Sequence, residues 1–189
     1  MRLLLAALLL LSFALTSPAW ADALSRDSQR AALMAVLEAP HPQFDAKSLR
    51  RIGPDVQSLL IEQASSTQTM SPVRLRALGA LQFFPNAASR AVLLEAIGAI
   101  NQAMPVLRVA LSALAAGFGV EALPVLQQHL HHSNVFIREA TAYALGDLDD
   151  PRVTSLLENR VQHEPAAAVR DAMVASLQRI AKRAQTQRK

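Results

Sequence analysis

Four times along this chain a similar helical phrase returns: an aliphatic residue and Arg, a short Ala-rich run, then Leu. The phrases are Val73-Arg74…Leu81, Leu107-Arg108…Leu114, Ile137-Arg138…Leu145 and Val169-Arg170…Leu177. Measured between their closing leucines, they recur at 33, 31 and 32 residues. A period of roughly thirty residues holds two helices and a turn, so the repeat predicts helical hairpins stacked in a line. Each hairpin then buries its apolar face against its neighbours alone.

The first residues read as a leader. Met1-Arg2 is a short basic start, Leu3 to Leu15 is apolar, and Ala19 and Ala21 satisfy the small-residue rule for cleavage after Ala21. That apolar run is thirteen residues long, short of the roughly 20 needed to cross a bilayer. No later stretch is expected to span one. Residues 1–21 are therefore expected to be removed on export, with the bacterial periplasm as destination. The chain has no cysteine, which suits an oxidising compartment and excludes thiolate metal sites and an acylated N-terminal Cys.

Charge argues against nucleic acid. The formal net charge is +4, but Arg179, Lys182, Arg183, Arg188 and Lys189 crowd the C-terminus, leaving the rest slightly acidic. Duplex binding needs several cations aligned on one face. The basic end reads as a solvated helix terminus complementing the helix dipole, with peripheral contact to anionic lipid as its one membrane role.

Residues 22–53 read as an N-terminal cap of two helices, one from Ala23 to Ala39 stopped by Pro40-His41-Pro42, and a short one from Phe44 to Ile52. Residues 54–182 form the repeat array and 183–189 a basic tail. Ser71 before Pro72 and Asp150 before Pro151 are expected N-caps, and Ser133 is expected to cap the helix that holds Ile137. Low aromatic content fits a stack of Leu, Val and Ala. The polar loop Ser65–Met70 is the longest within the pairs.

The pairing of Pro151-Arg-Val-Thr-Ser-Leu-Leu with a following Val-Arg…Ala…Leu helix resembles HEAT repeats, in the variety found in phycobilisome lyases and deoxyhypusine hydroxylase. The likeness spans about Pro54 to Ile180. It implies an all-α, right-handed α-solenoid of about four hairpins. It implies little about chemistry, because such arrays serve as scaffolds, carriers and a few enzymes. The reading drawn is a non-catalytic module that binds a protein partner, with a cofactor-handling or metal-dependent HEAT-like protein as the alternative.

The hydroxylase binds two irons through His-Glu dipeptides after the Val-Arg of several repeats. The matching positions here read Leu75-Arg76, Val109-Ala110, Glu139-Ala140 and Asp171-Ala172, and the one His-Glu pair, His163-Glu164, falls in a turn. One pair cannot build a di-iron centre. His129 and His132, three apart on a helix, are weak metal candidates without an assignable third ligand. Asp147-Leu-Asp149-Asp150 lacks the glycine and terminal glutamate of a calcium loop, and Gly117-Phe-Gly119 reads as a turn between helices. No catalytic residue and no cofactor is expected. Arg74, Arg108, Arg138 and Arg170 are expected to serve packing. Arg76, Ser112, Glu139, Tyr143 and Asp171 are expected on the outward side of the second helices, as the contacts for a partner, with the single tyrosine as anchor.

Overall fold

The computed structural model describes residues 25–43, 45–66 and 71–187. The expected leader and most of the Ser65–Met70 loop lie outside them. Among the described residues the helices are α1 (Arg26–Glu38), α2 (Ala46–Arg50), α3 (Val56–Ser65), α4 (Pro72–Ala80), α5 (Ala87–Gly98), α6 (Met104–Phe118), α7 (Leu123–His129), α8 (Val135–Leu145), α9 (Pro151–Val161) and α10 (Ala167–Gln187). Single 3₁₀ turns follow α4 and α6.

Several helix starts are set by side chains that accept otherwise orphaned N–H groups, although α3, α6 and α7 have no such cap. Ser71 Oγ accepts from the Arg74 N–H at 3.2 Å, and Asp150 Oδ1 from the Arg152 N–H at 2.8 Å. At α8 the cap is Asn134, not Ser133: its Oδ1 takes the Phe136 N–H at 2.9 Å. Gly119, at φ 54°, makes the turn after α6 in a conformation that favours glycine. Gly117 is no part of that turn, since α6 continues through Phe118.

The helices pair as α3 with α4, α5 with α6, α7 with α8 and α9 with α10, and the second members pack in chain order, α4 on α6, α6 on α8, α8 on α10. Helix α1 joins that row at α4 while also touching α3. The main contacts stay within a hairpin or between adjacent ones, so the chain is an α-solenoid. Contacts between successive first helices are sparse beyond α3 with α5.

The core follows helical spacing. Ala77, Leu78 and Leu81, then Ala110, Leu111 and Leu114, then Thr141, Ala142 and Leu145 are all buried. Each fully buried leucine contributes about 1.5–3 kcal/mol relative to exposure. The alanines permit a close second-helix row. At Gly146 an added Cβ would lie 2.5 Å from Ser176 Cβ, so glycine is required by space.

One expectation needs correction. The run Met104–His129 is long and apolar enough to cross a membrane by length and composition. Part of it is core: Val106, Leu107, Ala110, Leu111 and Leu114 are buried, with α6 against α4, α5 and α8, and 44% of the apolar window is buried in all.

Candidate functional site

Three of the four recurring arginines hold hairpin turns. Arg138 Nη1 donates to the His132 and Ser133 carbonyls at 2.8 and 3.0 Å, six and five residues back. Arg170 Nη1 does the same to Glu164 and Pro165, at 2.9 and 2.8 Å. Arg74 reaches Ala64 O at 3.1 Å across a longer loop. Arg108 breaks the pattern. It is exposed and has no hydrogen-bond or ion-pair partner among the described residues. Aligned on buried residues, Leu107 occupies the clamp position and Arg108 stands where Glu139 and Asp171 stand, on the outward face.

Glu164, unremarked in sequence beyond its neighbouring histidine, is the most buried charge. Its side chain is 0% exposed and is paired with Arg138 and Arg160, themselves 11% and 15% exposed. Oε1 accepts Arg138 Nη2 at 2.8 Å and the Ala166 N–H at 3.0 Å. Oε2 accepts Arg138 Nε at 3.0 Å and Arg160 Nη2 at 2.6 Å. Four donors fill the four lone-pair sites of the carboxylate. Burial pushes this carboxyl up, but the Arg138 hydrogen bond, the Ala166 N–H and the two guanidinium charges outweigh it, so its pKa lies below the usual carboxylate value.

Between α6 and α8 the second-helix face opens into a groove of about 340 Å³. Val109, Ala140 and Ala144 give it an apolar lining, and Arg108, Ser112, Tyr143 and Asp147 its polar edge. Tyr143 is 42% exposed yet held in place. The Arg179 guanidinium carbon sits 5.7 Å from the ring centroid, its Nη2 donates to Tyr143 O at 2.9 Å, and its Nη1 is 3.0 Å from Asp147 Oδ1. Asp147 is thereby neutralised, and Arg108 is left as the groove's unpaired charge.

Residues 99–178 match the family model of HEAT repeats. The matched segment contains α6 to α9 and the first half of α10, hence the groove, the Arg138 and Arg170 clamps and Glu164. No match was found among curated proteins.

Of the five residues expected to meet a partner, the structure brings Ser112 and Tyr143 together in the groove. Glu139 and Asp171 stand on the same row of helices, half-buried and exposed respectively, but do not line it. Arg76 turns inward and donates to Leu37 O, tying α4 to the end of α1. Arg108, Asp147 and Arg179 went unrecognised in the sequence. For Arg108 a signal existed: it stands six residues before its closing leucine, whereas Arg74, Arg138 and Arg170 stand seven before theirs.

Of the expected basic C-terminal end, Arg188 and Lys189 lie outside the described residues, and the part up to Gln187 is less free than expected. Helix α10 runs through the 182/183 boundary to Gln187. Arg183 Nη2 donates to Gly146 O and Leu148 O at 2.7 and 3.1 Å. The end of α8 leaves carbonyls without helical partners, and Arg179 and Arg183 satisfy them.

His129 and His132 lie at the end of α7 with rings stacked, 6.1 Å between centroids and 9° between planes. Among the described residues no group of three or more His, Asp or Glu is placed to hold a metal ion. The Asn134 backbone N–H donates to His132 Nδ1 at 3.0 Å. A neutral His132 ring must then carry its proton on Nε2, which removes that nitrogen as a ligand.

Proposed function

We propose that this chain is a non-catalytic protein-recognition module of the bacterial envelope, exported by its leader, which holds a partner across the face of α6 and α8. HEAT repeats generally mediate protein interaction, and the matched segment contains this face. The observation that carries the reading is the groove itself. It combines an apolar lining with a half-exposed tyrosine whose ring has the Arg179 guanidinium over it, which reduces the side-chain entropy lost when a partner packs on it. Aromatic anchors in such settings concentrate binding energy.

The test is affinity capture from the native envelope with wild type, Tyr143→Ala, and Ser112→Trp, which fills the groove without touching the core. A partner recovered with wild type and lost with both variants supports the reading. Unchanged recovery with both variants removes it.

A further inference from the structure

His129 Nδ1 lies 2.9 Å from the Val125 carbonyl, which can only accept. Nδ1 of His129 therefore carries a hydrogen, and Nε2 of the neutral ring presents a lone pair. His132 is held the other way round, its Nδ1 accepting from Asn134 and its Nε2 bearing the hydrogen. Two near-parallel neighbouring rings thus hold opposite tautomers. Together they present one acceptor and one donor.

Both rings line a cleft of about 230 Å³ between the α5–α6 turn and the α7–α8 turn. Ile97, Leu107 and Ile137 supply its apolar lining. Of the amides there, Gln102 Nε2 donates to Ala96 O at 3.0 Å and its Oε1 accepts the Ala103 N–H at 3.2 Å, while the Asn101 side chain has no partner among the described residues. The Asn134 side-chain oxygen is consumed by its N-cap bond. Beside the Asn101 amide and the Asn134 NH2, the two histidine rings add one acceptor and one donor at their Nε2 atoms.

We propose that this cleft binds a carboxamide, its N–H donating to His129 Nε2 and its C=O accepting from His132 Nε2–H, with the attached carbons against the apolar lining. The chemistry selects a neutral amide. A carboxylate offers only acceptors and would oppose the His129 lone pair. An ammonium offers only donors and would oppose the His132 N–H. The carboxamide belongs either to an Asn or Gln side chain or to a free primary amide. The cleft shares no lining residue with the α6–α8 groove, so the two proposals stand or fall separately.

The experiment is side-chain ¹⁵N NMR of the full mature chain at about pH 8, where an ordinary imidazole is neutral. His129 is expected in the Nδ1–H form and His132 in the Nε2–H form. Acetamide should shift both Nε2 signals and the Asn134 amide saturably, while acetate and methylammonium bind at least about tenfold more weakly. N-acetylglutamine against N-acetylglutamate tests the side-chain source; a response to acetamide alone assigns the site to free amides. His129→Phe and His132→Phe, each checked for a cooperative thermal transition, should abolish the acetamide response. The same tautomer in both rings, no saturable acetamide shift, or acetate equal to acetamide would overturn the proposal, and none of these outcomes depends on a variant folding.

Discussion

Arg138 grips Glu164 with two parallel bonds, Nε to Oε2 at 3.0 Å and Nη2 to Oε1 at 2.8 Å, joining the start of α8 to the turn between α9 and α10. The same guanidinium holds the turn before α8 through Nη1. One side chain therefore fastens two consecutive hairpin turns.

Removing the carboxylate leaves two poorly solvated guanidinium groups without their counter-ion. Glu164→Ala should cost about 3 kcal/mol and lower Tm by roughly 6–12 °C. Arg138→Ala should cost a comparable amount, and the double variant less than the sum of the two. Additive losses in denaturant titrations would show that the pair is not coupled.

Acid should release the same contact. The folded-state pKa of Glu164 lies below its ordinary value of 4.5, so its contribution is fully present above about pH 4.5 and is lost as pH falls through the lower folded value. Wild-type stability should decline below about pH 4.5, and Glu164→Gln should flatten part of that decline. Thermal melts of both proteins between pH 3 and 7, about the range in which carboxylates titrate, decide it.

Gly146→Ala would place a methyl 2.5 Å from Ser176, which is buried and bonded to Ala142 O at 2.9 Å. Overpacking there should cost about 1–3 kcal/mol. Ser176→Gly in the same chain should recover part of the loss. Equal unfolding midpoints for wild type and Gly146→Ala would contradict this account of the α8–α10 approach.

Arg179→Ala together with Arg183→Ala frees the carbonyls at the end of α8. Faster amide exchange is expected at the C-terminal half of α10, with a global loss of about 1–2 kcal/mol. Tyr143 should lose its fixed ring position, seen as narrower chemical-shift dispersion of its ring protons.

Zinc offers a check on the histidines. Because Asn134 holds the proton of His132 on Nε2, His132→Ala should leave any zinc affinity within about twofold. A tenfold weakening would mean that both rings coordinate.

The fold was legible because the closing leucines mark buried positions: Leu81, Leu114 and Leu145 are fully buried. Ser71 and Asp150 were legible as caps because proline follows each. Ser133 misled because Asn134, equally able to cap, stands beside it. The binding face was half legible. Helical spacing placed Ser112 and Tyr143 outward, but nothing local announces that Arg76 reaches back 39 residues to Leu37 O. Arg108 is grouped with the packing arginines because it follows an aliphatic residue, although one residue of register turns it outward. Glu164 was hidden because its partners come from α8, α9 and its own turn, a convergence that no short motif records.

The unequal rows of helices bear on how such a stack can bend. The row from α4 through α6 and α8 to α10 is continuous, while most first helices scarcely touch one another. Flexing should then open and close the first-helix side like the pages of a book, with the spine along α4 to α10. Along that spine the interval from Arg108 to Tyr143 changes little, so a bound partner would meet a ruler of nearly constant length.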